Sequence, residues 1–232
     1  MARARIRNGN KVLLIDESYA NLALREYKVV TTGAENNQFF STVDVTFNND
    51  QSVLAIRSRS DVAIYSVRYT PGFVTYSIIA VRGYATIECW NFDLAKHGAY
   101  GNLDWPKLII RKPGTGEVAF DSRMRYMKVI NFQYTNSESD QAAVDTSYPG
   151  TLPAVVIASQ PWIFNSERIG IPNPHSTIVS QGLGFVRMNS TTVTITPLAI
   201  FNDFVDQNEG NVHPSTAMPD GYWMTLDVSN LL

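Results

Sequence analysis

Along most of the chain polarity alternates with a period of two. In "STVDVTFN" Val43, Val45 and Phe47 alternate with Thr42, Asp44 and Thr46. The same beat recurs in "DVAIYSVRYT", "FVTYSIIAV", "YATIECWNF", "KLIIRK", "MKVINFQYT", "PAVVIAS", "TTVTITPLAIF" and "YWMTLDV". β-Branched and aromatic residues fill these runs, and Gly, Pro, Asn and Asp separate them. An extended chain points successive side chains to opposite faces of a sheet, so such runs predict half-buried strands. Roughly a dozen follow one another at the ~8–12-residue spacing of sandwiches and barrels.

Helical signals are weak. "DESYANLALREY" puts Tyr19, Leu22 and Ala23 at helical spacing but has no capping box, and residues 12–15 before it read as a strand. "AAVDTSY" has the length of a single turn. The expectation is an all-β fold: an antiparallel β-sandwich, jelly-roll-like, with long loops. Residues 1–30 are expected as an N-terminal strand or arm and 31–232 as the sandwich, with a candidate sub-boundary near 136–150. "KPGTGE", "RYTPGF" and "NNDQ" read as hairpin turns. "NSESDQAAVDTSYPGT", "NSERIGIPNPHS" and "NDFVDQNEGNVHPSTAMPDG" read as long loops, uncommon in a compact domain unless functional or packed on a neighbour. "GNKVLLIDES" and "GTGEVAFDS" echo each other; the reading here is coincidence, since Asp and Ser end many strands by bonding their own backbone.

Composition narrows the function. The 232 residues suffice for a core without disulfides or metal. The formal net charge is −2, so no global field draws nucleic acid or an anionic membrane. Cys89 is the sole cysteine, and His97, His175 and His213 lie far apart with no HxH, HxxxH or CxxC spacing. Neither a metal nor a cofactor is expected. No run approaches the ~20 apolar residues of a membrane helix. The apolar run behind Arg3, Arg5 and Arg7 is too short for a secretory leader, which suggests assembly in a cytoplasm.

Catalytic readings find little support. In "GEVAFDSRMRYMKVI" a regular strand would put Glu117, Ala119, Asp121, Arg123 and Arg125 on a solvated face and Val118, Phe120, Ser122, Met124 and Tyr126 on a buried one. Asp121 and Ser122 then point apart and do not converge on one atom. Glu88, Asp93, Asp104 and Glu167 are candidate glycosidase acids, but nothing in the sequence pairs them. Cys89, between Glu88 and Trp90 in an apolar run, reads as a small core residue. "GLGF" is too short for a phosphate loop. Trp105, Tyr148, Trp162, Tyr222 and Trp223 lie near loops, where aromatics stack on sugars, fill interfaces or close the ends of a sandwich. Arg3, Arg5 and Arg7 share one side of an extended terminus, which either pairs with a neighbour's sheet edge or is solvated.

"RNGNKVLLIDESYANLAL" and "GEVAFDSRMRYMKVI" resemble small tail-tip and tail-fibre proteins of long-tailed bacteriophages. The likeness lies in a Gly/Asn turn, an apolar strand and an "ID…Y.NL" stretch at 9–22, and in a "G-x-V-x-F-D-S" hairpin with an "M-x-V" strand at 116–129. The resemblance covers about a third of the chain and stops before residue 136. It implies a non-enzymatic virion component of the distal tail, assembled in the bacterial cytoplasm. The implied partners are hub, fibre or baseplate subunits, or further copies of the chain. It transfers no catalytic residue. Candidate assembly contacts are Arg3, Arg5, Arg7, Arg123 and Arg125. A receptor-binding module for host surface glycan is the alternative, with Trp105, Trp162, Trp223 and Tyr148 as candidate contacts.

Overall fold

In the computed structural model the described residues are 5–7, 13–16, 22–33, 40–49, 52–81, 83–101, 103–104, 107–136, 143–160, 162–169, 176–206, 216–218 and 220–231; at 5–7, 13–16, 136, 162–169, 176–181, 198–206 and 216–218 the description is of backbone alone. The strands are β1 (Arg5–Arg7), β2 (Leu13–Asp16), β3 (Leu22–Thr31), β4 (Phe40–Phe47), β5 (Val53–Ser58), β6 (Val62–Thr70), β7 (Phe73–Val81), β8 (Thr86–Leu94), β9 (Ile109–Arg111) and β10 (Val118–Asp121). They continue as β11 (Val129–Asn136), β12 (Val144–Ser147), β13 (Pro153–Ser159), β14 (Trp162–Ile169), β15 (Ser176–Asn189), β16 (Thr192–Asp206), β17 (Thr216–Met218) and β18 (Asp220–Asp227). One short 3-10 turn, Ala95–His97, follows β8. "DESYANLALREY" is strand where it is described, and "AAVDTSY" holds β12.

Two antiparallel sheets face each other. One has the order β11-β18-β13-β5-β8-β3 and the other β12-β16-β15-β6-β7-β4, with β14 and β17 added beside β15. The all-β sandwich expected from the alternation is what the chain forms. Its core between the sheets takes Val45, Phe47, Ile78, Phe185-side neighbours Val186 and Met188, and Ile56, Ile87, Cys89 and Trp223. A second cluster, around Trp90, Phe92, Val156 and Leu226, fills the other face of the six-stranded sheet. That sheet is curled: residues 122–128 run along β3, with Leu24 N donating to Arg125 O at 2.7 Å and Met127 N to Leu22 O at 2.9 Å. The next residue, Lys128, accepts from Asp227 N of β18, and the chain runs on into the far edge strand β11, so one segment lies along both edges of the sheet.

The winding repeats. β3 to β8 cross between the sheets except at the β6–β7 hairpin, so that β8 lies between β3 and β5, and β7 between β4 and β6. This is jelly-roll winding. β11, β12, β13, β15, β16 and β18 do the same: β18 lies between β11 and β13, and β16 between β12 and β15. The halves join through Ala55↔Val156 in one sheet and Val62↔Val186 in the other. Details of register match as well. β3 carries an extra residue, Arg25, opposite Phe92 and Asn91, and β11 carries Ile130 opposite Leu226 and Thr225. Each half is preceded by a two-stranded ribbon, and both ribbons bulge at matching residues, Leu14 and Ala119. The echo between "GNKVLLIDES" and "GTGEVAFDS" is therefore positional, and the reading as coincidence is corrected.

Other boundaries change too. β3 is an integral strand of the six-stranded sheet, so a division at residue 30 falls inside a sandwich strand. Both sheets take strands from either side of 136–150, so no sub-boundary lies there. "NNDQ" is not a hairpin, because β4 and β5 belong to different sheets. "KPGTGE" and "RYTPGF" are hairpins; Gly72 and Gly114 adopt φ of 81° and 86°, which a Cβ would strain.

Candidate functional site

β15 has β16 on one side and, on the other, first β6 and then β14. Val62 pairs with Val186, but three residues further along β15 Leu183 pairs with Trp162 of β14, and that pairing continues to Ser176. β6 therefore leaves β15 after one residue. Among the described residues its remaining pairing, to Thr70, is with β7 alone. Cross-strand neighbours share a face, so Val67 lies beside Tyr76 and Tyr69 beside Val74 on the side toward the other sheet. Val74 and Tyr76 are buried there, yet Val67 is 40% and Tyr69 61% exposed. The inner face of the sandwich is thus left open along this arm.

The opening is a cleft of about 820 Å³. Val67 and Tyr69 form one wall, and Tyr65, at a register shift in the β6–β7 pairing, is a further exposed lining residue. Leu54 and Ile157 of the six-stranded sheet, which belong to the inter-sheet core, face them. Ser52, Tyr76 and Gln160 supply polarity. Tyr76 Oη donates to Ser52 O at 3.3 Å, and burial pushes its phenol above the ordinary value. Gln160 Nε2 donates to Gly184 O at 2.7 Å, while its Oε1 is buried and accepts no hydrogen bond. The described lining holds no carboxylate, cation, imidazole or thiol. Such a cleft binds by shape, stacking and backbone hydrogen bonds.

The residues singled out from sequence are not gathered here. Trp223 is corrected outright: it is wholly buried between the sheets, and its Nε1 donates to Thr135 Oγ1 at 3.0 Å. Both faces of its sheet are buried, so alternation does not expose it. Tyr148 is half-buried against the same core, accepts from Asn131 Nδ2 at 2.7 Å and closes the sandwich end. Trp105 and Arg3 lie outside the described residues. Trp162 borders the cleft through its backbone pairing with Leu183. Arg5 and Arg7 sit in β1, whose described pairing is with β2 of the same chain.

The stretch at 117–126 also differs from expectation. The strand stops at Asp121, and Ala119 and Asp121 form its buried side. Within β10 the assigned faces are thus reversed, because a side-chain knot and not solvent satisfies Asp121, while Met124 is buried and the Glu117 side chain partly exposed as expected. Asp121 Oδ1 accepts from Arg123 N at 3.1 Å and Nε at 2.9 Å, and Oδ2 from Arg123 Nη2 at 2.6 Å. These bonds with Arg123 hold the Asp121 carboxyl below its ordinary range. Arg123 also covers the Tyr100 ring at 4.7 Å, and Tyr126 stacks on Phe120. Arg125 donates to Leu231 O at 2.7 Å. Both arginines therefore serve the chain's own fold. Glu88 pairs with Arg57 and Asp93 with Arg25; five residues apart on β8, the two carboxylates point to opposite faces. Cys89 is buried in the core, as read from sequence, and burial pushes its thiol up to about 12. Among the described residues no three His, Cys, Asp or Glu side chains could hold a metal ion.

Sequence reasoning missed the cleft residues. "IYSVRYT" reads as an ordinary half-buried strand, and nothing local shows that β6 parts from β15. Comparison with family models, curated proteins and solved structures finds no match for the chain.

Proposed function

We propose that the chain is a structural part of a long-tailed bacteriophage tail tip or baseplate, joining hub, fibre or baseplate subunits through protein–protein contacts within the virion. The sequence likeness at 9–22 and 116–129 supports this reading, and it touches both ribbons of the repeat, β1–β2 and β9–β10. The observation that carries it is the uncharged cleft beside a free strand edge, a surface with binding chemistry and no described reactive group. The test is deletion of the coding sequence from a phage that carries it, followed by negative-stain imaging. Tails lacking tip or fibre density are expected. Particles with unaltered tips that adsorb normally would overturn the proposal.

A second reading has one observation in its favour. Tyr65 and Tyr69 stand exposed at the rim of a concave site, and such rings stack on sugar faces. A glycan array displaying the protein multivalently tests it. Binding lost in Tyr69→Ala supports a receptor-binding role, and no signal from the wild type ends it.

A further inference from the structure

We propose that the cleft is a strand-addition site. An extended, uncharged segment of a partner tail protein adds to the free edge of β6 at residues 65–70 and places alternate apolar side chains between the two sheets. The inference rests on the reading of the chain as an assembly protein and names the kind of partner its cleft takes.

The backbone supplies the first argument. Residues 65–70 are all exposed, and their described pairing is on the β7 side only. Among the described residues nothing pairs with the other side, which offers a row of N–H and C=O groups about 20 Å long, the length of an ordinary strand. A sugar can stack on Tyr69 but does not match that row; another polypeptide does. Free edges of natural sheets are normally guarded by lysine, proline or an inward-pointing charge. Residues 65–70 read Tyr, Ser, Val, Arg, Tyr, Thr, and Arg68 shares the face away from the cleft with its partner Thr75. The edge is unguarded.

Side chains supply the second argument. An incoming strand sends every second residue to the inner face, as Val67 and Tyr69 do. Those residues would meet Leu54 and Ile157, both uncharged. A charge placed there would lose its water and gain no counterion. The one unmet polar demand is at Gln160 Oε1, which needs a hydrogen-bond donor and finds one in a peptide N–H or a small hydroxyl side chain.

The probe is a displayed library of random linear twelve-residue peptides, panned on the purified full chain and counter-selected on Val67→Lys. Val67 is substantially exposed, and melting followed by circular dichroism checks that the variant is folded; Tyr69→Lys serves as an independent second variant. The expected winners carry apolar residues at every second position and bind either variant at least tenfold more weakly. Methylating their amide nitrogens one at a time should give losses with a period of two. Amide exchange at residues 65–70 should slow on binding. No peptide preferring the wild type overturns the proposal. So does binding that ignores N-methylation at every position, or a glycan that binds the cleft where peptides do not. Unaltered tips on deletion particles would refute the tail assignment and leave these binding data standing. Altered tips without peptide binding would remove only the strand-addition site.

Discussion

Asp227 ends β18 and holds Lys128, the residue that leads into the edge strand β11. Its side chain is 9% exposed. Its carboxylate accepts from Lys128 Nζ at 2.7 Å and from Ser229 N and Oγ at 3.1 and 2.6 Å. Burial is the largest single influence and opposes the charge, but the bonds from Lys128 and Ser229 together outweigh it. They lower the carboxyl from 3.8 to about 2. A carboxyl depressed in the folded chain contributes stability above its unfolded value and loses it as pH falls through the folded one. The window is therefore from about pH 4 down to about pH 2. At about 1.4 kcal/mol per pH unit the full shift corresponds to roughly 2.5 kcal/mol. Lys128 is mostly solvated, which reduces the expected value to about 1–2 kcal/mol. Asp227→Asn should be destabilised by that amount at pH 7 and should match the wild type at pH 2. Urea unfolding followed by tryptophan fluorescence at pH 7, 5, 3 and 2 measures the difference, which cancels the titration of the other carboxylates. A gap of equal size at pH 7 and pH 2 would refute the electrostatic account and leave only a packing effect.

Trp223→Ala should cost about 3–5 kcal/mol in the same unfolding assay, since it empties the centre of the inter-sheet core; a loss below about 1 kcal/mol would contradict its burial. Arg123→Ala leaves the buried Asp121 carboxylate without its cation and should lower stability in the same assay, with little rescue by Arg123→Lys, which lacks the two-pronged contact; full rescue by lysine would refute the geometry. Cys89 should resist iodoacetamide in the native chain at pH 8 and react fully in guanidinium, as read by mass spectrometry; equal rates in both states would contradict a buried thiol near 12.

Alternation made the strands legible, because period two survives in almost any half-buried sheet. It did not make the faces legible. Ala119 and Asp121 are the buried pair and Val118 and Phe120 the half-buried one, the reverse of what apolar content suggests. Asp121 is tolerated inside because Arg123, two residues on, meets it at the turn. Trp223 misled for a different reason. Its sheet is buried on both sides, so Trp223 enters one core and its neighbour Met224 packs on the other. The glycines of the two tight hairpins were readable, since a turn with positive φ has a chemical signature that a crossover between sheets lacks.

The cleft follows from where the repeat is broken. In the repeat β6 corresponds to β15, and the one described pair between them is Val62↔Val186. In an unmodified repeat these two strands would be neighbours on both sides of that point. The second half, however, adds β14 and β17, which have no counterparts among the described strands of the first. β14 occupies the edge of β15 from Leu183 to Ser176, so β6 has no place there and its inner face stays open over Leu54 and Ile157. The inserted strands alternate no differently from the repeated ones, so the sequence pattern does not separate them. A strand supplied by another chain to the edge of β6 would do for the first half what β14 does for the second: cover an edge and close the gap between the sheets.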